Sequence, residues 1–248
     1  MTILVTRPSP TGEQLVSRLR ARGQPAWHLP LIEFSPGREL ASLPARLAAL
    51  SAEDLLFAIS QHAINYAHAC LTRQGLSWPA QLQYYAVGRG SGLLLHTLSG
   101  LPVEFPHDGE SSEHLLGLSS LQRIAGRRAL ILRGNGGRET LEQTLRQRGV
   151  QVGYCECYCR SPIPYDGEEQ SRRCLQLGIN TLIITSGEML QQIYTLIPDY
   201  YRASWLLQCR LIVVSERLGA LARQLGWQDI VVADAADNDA LMRVLLKI

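Results

Sequence analysis

The strongest constraint on the fold is that the chain meets itself. Displaced by 126 positions, Leu4, Arg7, Glu13, Leu15, Leu19, Arg20, Arg22 and Gly23 fall without a gap on Leu130, Arg133, Glu139, Leu141, Leu145, Arg146, Arg148 and Gly149. The same displacement carries Ser60 onto Ser186, Asp108 onto Asp234 and Leu115 onto Leu241. A repeat of this length is a whole domain, far longer than a solenoid turn, so a chain of 248 residues reads as two similar domains. Taken alone, the repeat places their boundary near Gly126.

Short apolar or β-branched runs alternate with amphipathic stretches of helical period. Strands are expected over 3–6, 26–34, 55–59, 83–87, 102–105, 129–132, 151–159, 181–185, 211–214 and 230–232. Strands separated by helices give parallel sheets. The expected fold class is therefore α/β, with two similar domains, each a five-stranded parallel sheet flanked by helices. The strands over 26–34 and 151–159 are longer than the rest and run into the proline-bearing tails Ser35-Pro36 and Ser161-Pro162-Ile163-Pro164. Such strands suit a two-stranded connector, and two crossings there would leave one domain discontinuous in sequence.

Composition removes several classes of function. An apolar fraction of 46% with 19% charged residues belongs to a packed chain, not a disordered one. A formal net charge of +2 provides no strongly basic footprint for nucleic acid. No apolar run approaches the roughly 18 residues of a membrane span. The opening MTILVTRPSP lacks a basic segment ahead of its short apolar run, so no signal peptide is expected. Six cysteines without zinc-finger spacing read as reduced thiols and point to the cytoplasm. Every basic residue except Lys247 is Arg, whose planar fork suits carboxylates and phosphates, although a GC-rich coding sequence is the plainer source of that bias.

In parallel α/β domains ligands sit outside the carboxyl ends of strands, where helix N-termini offer free amides. Those ends carry Arg7-Pro8-Ser9, Ser60-Gln61-His62, Gly88-Arg89-Gly90-Ser91-Gly92, His107-Asp108-Gly109-Glu110-Ser111-Ser112, Arg133-Gly134-Asn135-Gly136-Gly137-Arg138, Thr185-Ser186-Gly187 and Ser215-Glu216-Arg217. Hydroxyls, glycine amides and arginines together make a cradle for anions. At any one position a glycine serving a tight turn or a hydroxyl capping a helix is the plainer reading, so the weight lies on the ensemble. Neither GRGSG nor GNGGR completes a nucleotide motif.

Cys155, Cys157 and Cys159 alternate along one strand and read as packed thiols, with Tyr154, Glu156 and Tyr158 expected on the opposite face. No metal spacing appears among the six histidines. His62, early in a helix after a strand end, is read as solvated or capping rather than as a general base. No GxSxG elbow is present. Two readings stay open on these residues beside that of an enzyme with an anion cradle: a non-catalytic clamshell binder of a small anion, and a transferase using a nucleotide sugar.

The chain resembles the uroporphyrinogen-III synthase family. The resemblance rests on ILVTRP with its helix ending RARG, the Ser60 strand end, YYAVGRGSG, FPHDGESSEHLL, ALILRGNGGRETLEQTLRQRG, YCECYCRSP and TLIITSGEML. It implies one domain over 1–35 and 163–248, a second over 36–162, connectors near 26–36 and 151–164, and an active site in the cleft between them. This moves the boundary away from Gly126. The implied reaction is cyclisation of linear hydroxymethylbilane to uroporphyrinogen III, with inversion of the last pyrrole ring and loss of water. The family is thought to pass through an azafulvene and a spiro-pyrrolenine, with no metal or organic cofactor. Tyr158 stands where the family carries a tyrosine suspected of assisting hydroxyl loss. Arg7, Ser60, Gly88, Ser91, Ser111, Ser112, Arg133, Asn135, Arg138, Thr185 and Ser186 match cleft positions that would bind the polycarboxylate linear tetrapyrrole. One departure is Ser215-Glu216-Arg217-Leu218-Gly219, where the family tends to a GPxTA-like turn. A monomer is expected, without nucleic-acid or membrane partners.

Overall fold

In the computed structural model, which describes residues 1–136 and 139–246, both copies of the repeated segment fold as strand, helix, strand. The chain opens with β1 (Ile3–Val5), α1 (Thr11–Arg20) and β2 (Ala26–His28). It continues through β3 (Ile32–Pro36), α2 (Leu43–Ala48), β4 (Leu55–Ala58), α3 (Gln61–Arg73), β5 (Gln83–Ala86), α4 (Arg89–Ser99), β6 (Val103–Glu104) and α5 (Ser112–Leu116). The second copy supplies β7 (Arg128–Gly134), α6 (Thr140–Gln147) and β8 (Gln151–Pro162). After it come α7 (Gly167–Gln176), β9 (Thr181–Ile183), α8 (Gly187–Leu196), α9 (Asp199–Ser204), β10 (Arg210–Val213), α10 (Glu216–Leu225), β11 (Ile230–Val232) and α11 (Asn238–Leu245).

The chain divides into two compact units, Met1–Glu33 with Ser161–Ile248 and Phe34–Arg160. The first holds a five-stranded sheet in the order β2-β1-β9-β10-β11, every neighbouring pair parallel. The other sheet runs β3-β8-β7-β4-β5-β6. Its last five strands are mutually parallel. β3 runs antiparallel to β8: Gly37 N donates to Cys157 O and Ile163 N to Leu31 O, each at 2.9 Å. Setting β3 aside, the two sheets have one topology, with β1, β2, β9, β10 and β11 matched in space by β7, β8, β4, β5 and β6. The expected α/β class therefore holds, with the connector ladder appearing as β3 on β8.

The repeat survives in detail. Gly23 and Gly149 follow α1 and α6 with φ of +74° and +80°, a left-handed conformation that favours glycine. Ser60 and Ser186 cap α3 and α8, each accepting a 3.2 Å bond from the backbone N–H three residues on. Leu115 and Leu241 are both fully buried.

The long strand expected over 26–34 is two strands in different sheets, a correction with a local cause. Pro30 has no N–H to donate, and β1 ends at Val5. Leu29 and Leu31 instead bond Val5 O and Thr6 O at 2.9 and 3.2 Å before the chain enters β3.

Each sheet is covered on both faces. In the first unit, Leu182, Leu190, Ile193 and Trp227 fill one layer and Val5, Leu15, Leu19 and Leu241 the other. In the second, Leu56, Ile64, Leu95 and Cys155 fill one and Phe57, Tyr85, Leu115 and Leu145 the other. Each such aliphatic side chain contributes roughly 1.5–3 kcal/mol on burial. Among the described residues, no helix is long and apolar enough to cross a membrane.

Candidate functional site

The strand order of each unit has one point where the winding reverses, between β1 and β9 in the first and between β7 and β4 in the second. Neighbouring connections leave on opposite faces there, so the strand ends open a crevice.

In the second unit that point lies beside a β-bulge. Arg133 pairs with Glu156 and Gly134 with Tyr158, leaving Cys157 as an extra residue. The bulge resets the alternation. Tyr154 packs into the layer of Phe57 and Tyr85, whereas Tyr158 packs with Cys155 and Cys157 in the layer of Leu56. The expectation that Tyr154, Glu156 and Tyr158 share one face is thereby corrected. Gly37 passes close to the bulge, and a Cβ there would lie 2.0 Å from Glu156 O and 2.7 Å from Tyr158 N.

Tyr158 lies over Gly134, where a Cβ would sit 2.6 Å from its Cζ. Ser60 Oγ donates to its phenolic oxygen at 3.4 Å. Three rings stand around it: Phe34 edge-on at 5.7 Å between centroids, His62 at 5.5 Å and Tyr66 stacked at 6.1 Å. His62 itself stacks on Phe34 at 3.9 Å and 26°. It is half-buried, and burial, assisted by the nearby Arg160 guanidinium, lowers its pKa. His62 is thus neither solvated nor a cap, as the sequence had suggested. The spacing of His62 and Tyr66, four apart on α3, was a readable signal, whereas Phe34 gave none.

Asn135 spends both ends of its amide on one backbone unit, accepting from Arg160 N at 2.9 Å and donating to Arg160 O at 3.2 Å. It clamps β8 two residues beyond Tyr158. Arg133 lies with its guanidinium 4.7 Å from the Tyr154 ring, on the other side of the sheet from Tyr158. Arg138 lies outside the described residues.

Gly88 precedes α4, and the Arg89 N–H donates to Glu110 Oε1 at 3.0 Å. A Cβ on Gly88 would come within 2.9 Å of that carboxyl carbon. Ser111 caps α5 and hydrogen-bonds His114 Nδ1 at 2.8 Å, while Ser112 opens that helix and Ser91 lies in the first turn of α4.

In the first unit, Arg7 follows β1 and donates to Asn238 Oδ1. Its burial lowers the guanidinium pKa and Asp237 opposes the shift, yet an arginine stays charged at neutral pH. Thr6 Oγ1 donates to Ile183 O at 2.7 Å, tying the ends of β1 and β9 together. Thr185 and Ser186 follow β9 after the buried Ile184, both partly exposed. Glu216 is exposed at the start of α10, whose cap is Ser215.

Two α/β units of one topology, each with polar strand ends at its point of reversal and one with a tyrosine ringed by aromatics, define a duplicated, doubly wound class of protein. Solved structures share this fold: a uroporphyrinogen III synthase of Thermus thermophilus matches with a TM-score of 0.64 at 17% identity, covering 100% of both chains. A uroporphyrinogen-III synthetase of Helicobacter pylori matches at 0.59 and 16% identity, covering 99% of this chain and 98% of that one. In sequence, residues 13–243 match the family described as uroporphyrinogen-III synthase HemD. Uroporphyrinogen-III synthases of Salmonella typhimurium and Escherichia coli are each 60% identical over 245 residues, 99% of this chain and all of theirs. The chain belongs to the uroporphyrinogen-III synthase family.

Proposed function

We infer that this chain is a lyase of tetrapyrrole biosynthesis that closes linear hydroxymethylbilane to uroporphyrinogen III, inverting the last pyrrole ring and releasing water. The observation that carries the reading is 60% identity to uroporphyrinogen-III synthases over 99% of the chain. Tyr158 assists departure of the hydroxyl: its phenolic proton moves to the leaving oxygen, the carbon–oxygen bond breaks and water departs, while the Ser60 hydroxyl steadies the phenolic oxygen. Gly88, Ser91, Ser111, Ser112, Arg7, Thr185 and Ser186 supply donors for substrate carboxylates, while the one hydroxyl proton of Ser60 goes to the phenol. Arg138 joins this set by its place in the sequence. Asn135 also holds the Tyr158 strand, and Arg133 and Asn135 belong to the same binding set by their places in the sequence. A flexible linear substrate with several ways to close gains most from being held in one geometry. Six free cysteines and a net charge near zero support a cytoplasmic protein that needs no nucleic acid, and we assign it as a monomer.

The test is to generate hydroxymethylbilane in situ, add the purified protein, oxidise the products and separate porphyrin isomers. Isomer III is expected. Isomer I alone from a folded protein would overturn the reading.

A further inference from the structure

Among the described residues, His62 is the histidine whose ring stands against Tyr158; the rings of His68 and His107 pack elsewhere, on Trp78 and Phe105. His28, His96 and His114 each use a ring nitrogen in a local bond, to Arg7 O, Leu101 O and Ser111 Oγ at 2.7, 2.7 and 2.8 Å. His68 accepts the indole N–H of Trp78 at 3.2 Å. The His62 imidazole instead lies face to face with Phe34, 3.9 Å between centroids, and 5.5 Å from the Tyr158 ring. Phe34 and Tyr66 touch that same phenol from β3 and α3. With Gly134 offering no side chain beneath it, the phenol is located by these rings and by Ser60.

We propose that His62 is a positioning residue for the chemistry at Tyr158: stacked on Phe34, its imidazole forms the wall that holds the phenol over Gly134 and within reach of Ser60. This rests on the assignment of Tyr158 to hydroxyl loss. Among the described residues, the titratable and charged groups set against the imidazole are Tyr158 and Arg160 on β8; Tyr66, one turn further along α3, packs on the same phenol, and Phe34 on β3 carries no charge. None of them is an anion that would welcome a proton on the ring. A protonated imidazole would be a half-buried cation beside a second cation, and would leave the stack for water. Turnover therefore carries an acid limb that belongs to His62, with its midpoint below the ordinary histidine value of 6.5.

The experiment measures isomer III formation against pH for the wild type, His62→Phe and His62→Gln, alongside an NMR titration of the His62 ring. Phe keeps an uncharged ring on Phe34, whereas Gln keeps polarity and loses the ring. We expect His62→Phe to retain kcat within about threefold at pH 8 and to lose the acid limb. We expect His62→Gln to lower kcat about tenfold with KM within about twofold. The wild-type ring should titrate below 6.5 and move back toward it in Phe34→Ala. An acid limb unchanged in His62→Phe, or a folded Gln variant as fast as the wild type, overturns the proposal. If the Gln variant fails to fold, the Phe profile and the NMR midpoint still decide. Wild-type protein that makes no isomer III would sink the functional reading instead, and the two failures are thereby told apart.

Discussion

Between Arg133 and Gly134 the pairing of β7 with β8 slips by one, and Cys157 is the residue left over. That slip puts Tyr158 on the opposite face from Tyr154 and over Gly134. Tyr158→Phe keeps the ring and removes the proton, so kcat should fall by about tenfold or more with KM within about threefold and the melting temperature unchanged. Steady-state assays with melting curves check it; unaltered turnover would remove Tyr158 from the mechanism. Gly134→Ala would press a methyl 2.6 Å from the Tyr158 Cζ, so the ring must move. Loss of rate together with about 1–3 kcal/mol of stability is expected, read by the same assay and by urea titration. Strict alternation along 151–159 has no way of marking a bulge, so the sequence could indicate Tyr158 through family likeness but not its orientation. Nor could periodicity bring Phe34 to His62, because their contact depends on β3 and α3 being placed by the whole unit.

At the scale of elements, the duplication supplies its own control. Ser60 and Ser186 cap equivalent helices with bonds of equal length. Replacing either by Ala should cost about 1 kcal/mol of stability. Only Ser60→Ala also removes a hydroxyl from Tyr158. It should lower kcat, whereas Ser186→Ala should act mainly on KM; equal losses of kcat in both variants would separate Ser60 from the phenol. Strand and helix existence was legible because apolar period and strand-end serines agree at these positions. The break at Pro30 was less so: the run from Ala26 to Phe34 looks continuous until one knows that β1 stops at Val5 and leaves Leu29 and Leu31 to bond its trailing carbonyls.

For the whole molecule, two electrostatic predictions follow from where charges are held. Burial pushes the Asp54 carboxyl up, but bonds from the Arg128 and Ser51 backbone N–H groups and the Arg128 guanidinium outweigh it and hold the carboxyl below its ordinary value. A carboxylate depressed in the folded state stabilises above its unfolded pKa of about 3.9, and that contribution is lost as pH falls through the lower folded value. Asp54→Asn should therefore be less stable by about 1–3 kcal/mol at pH 7 and show a smaller further loss toward pH 3, measured by urea midpoints at the two pH values. Arg7→Ala should raise KM about tenfold, with kcat less affected and a weaker dependence of KM on salt. An unchanged KM would remove Arg7 from the anion cradle. The fold class was readable at this scale because the repeat and the βα alternation both demand it.

The first unit contains both ends of the described chain, with the second inserted between its second strand and its third. During synthesis, β1 and β2 emerge first, yet β1 lacks its other neighbour until residues 181–183 have left the ribosome. The inserted unit, continuous from Phe34 to Arg160, has all its strands by then. The inserted unit can therefore be completed before the unit in which the chain begins. The edge of β1 that β9 later covers stays unpaired throughout that interval.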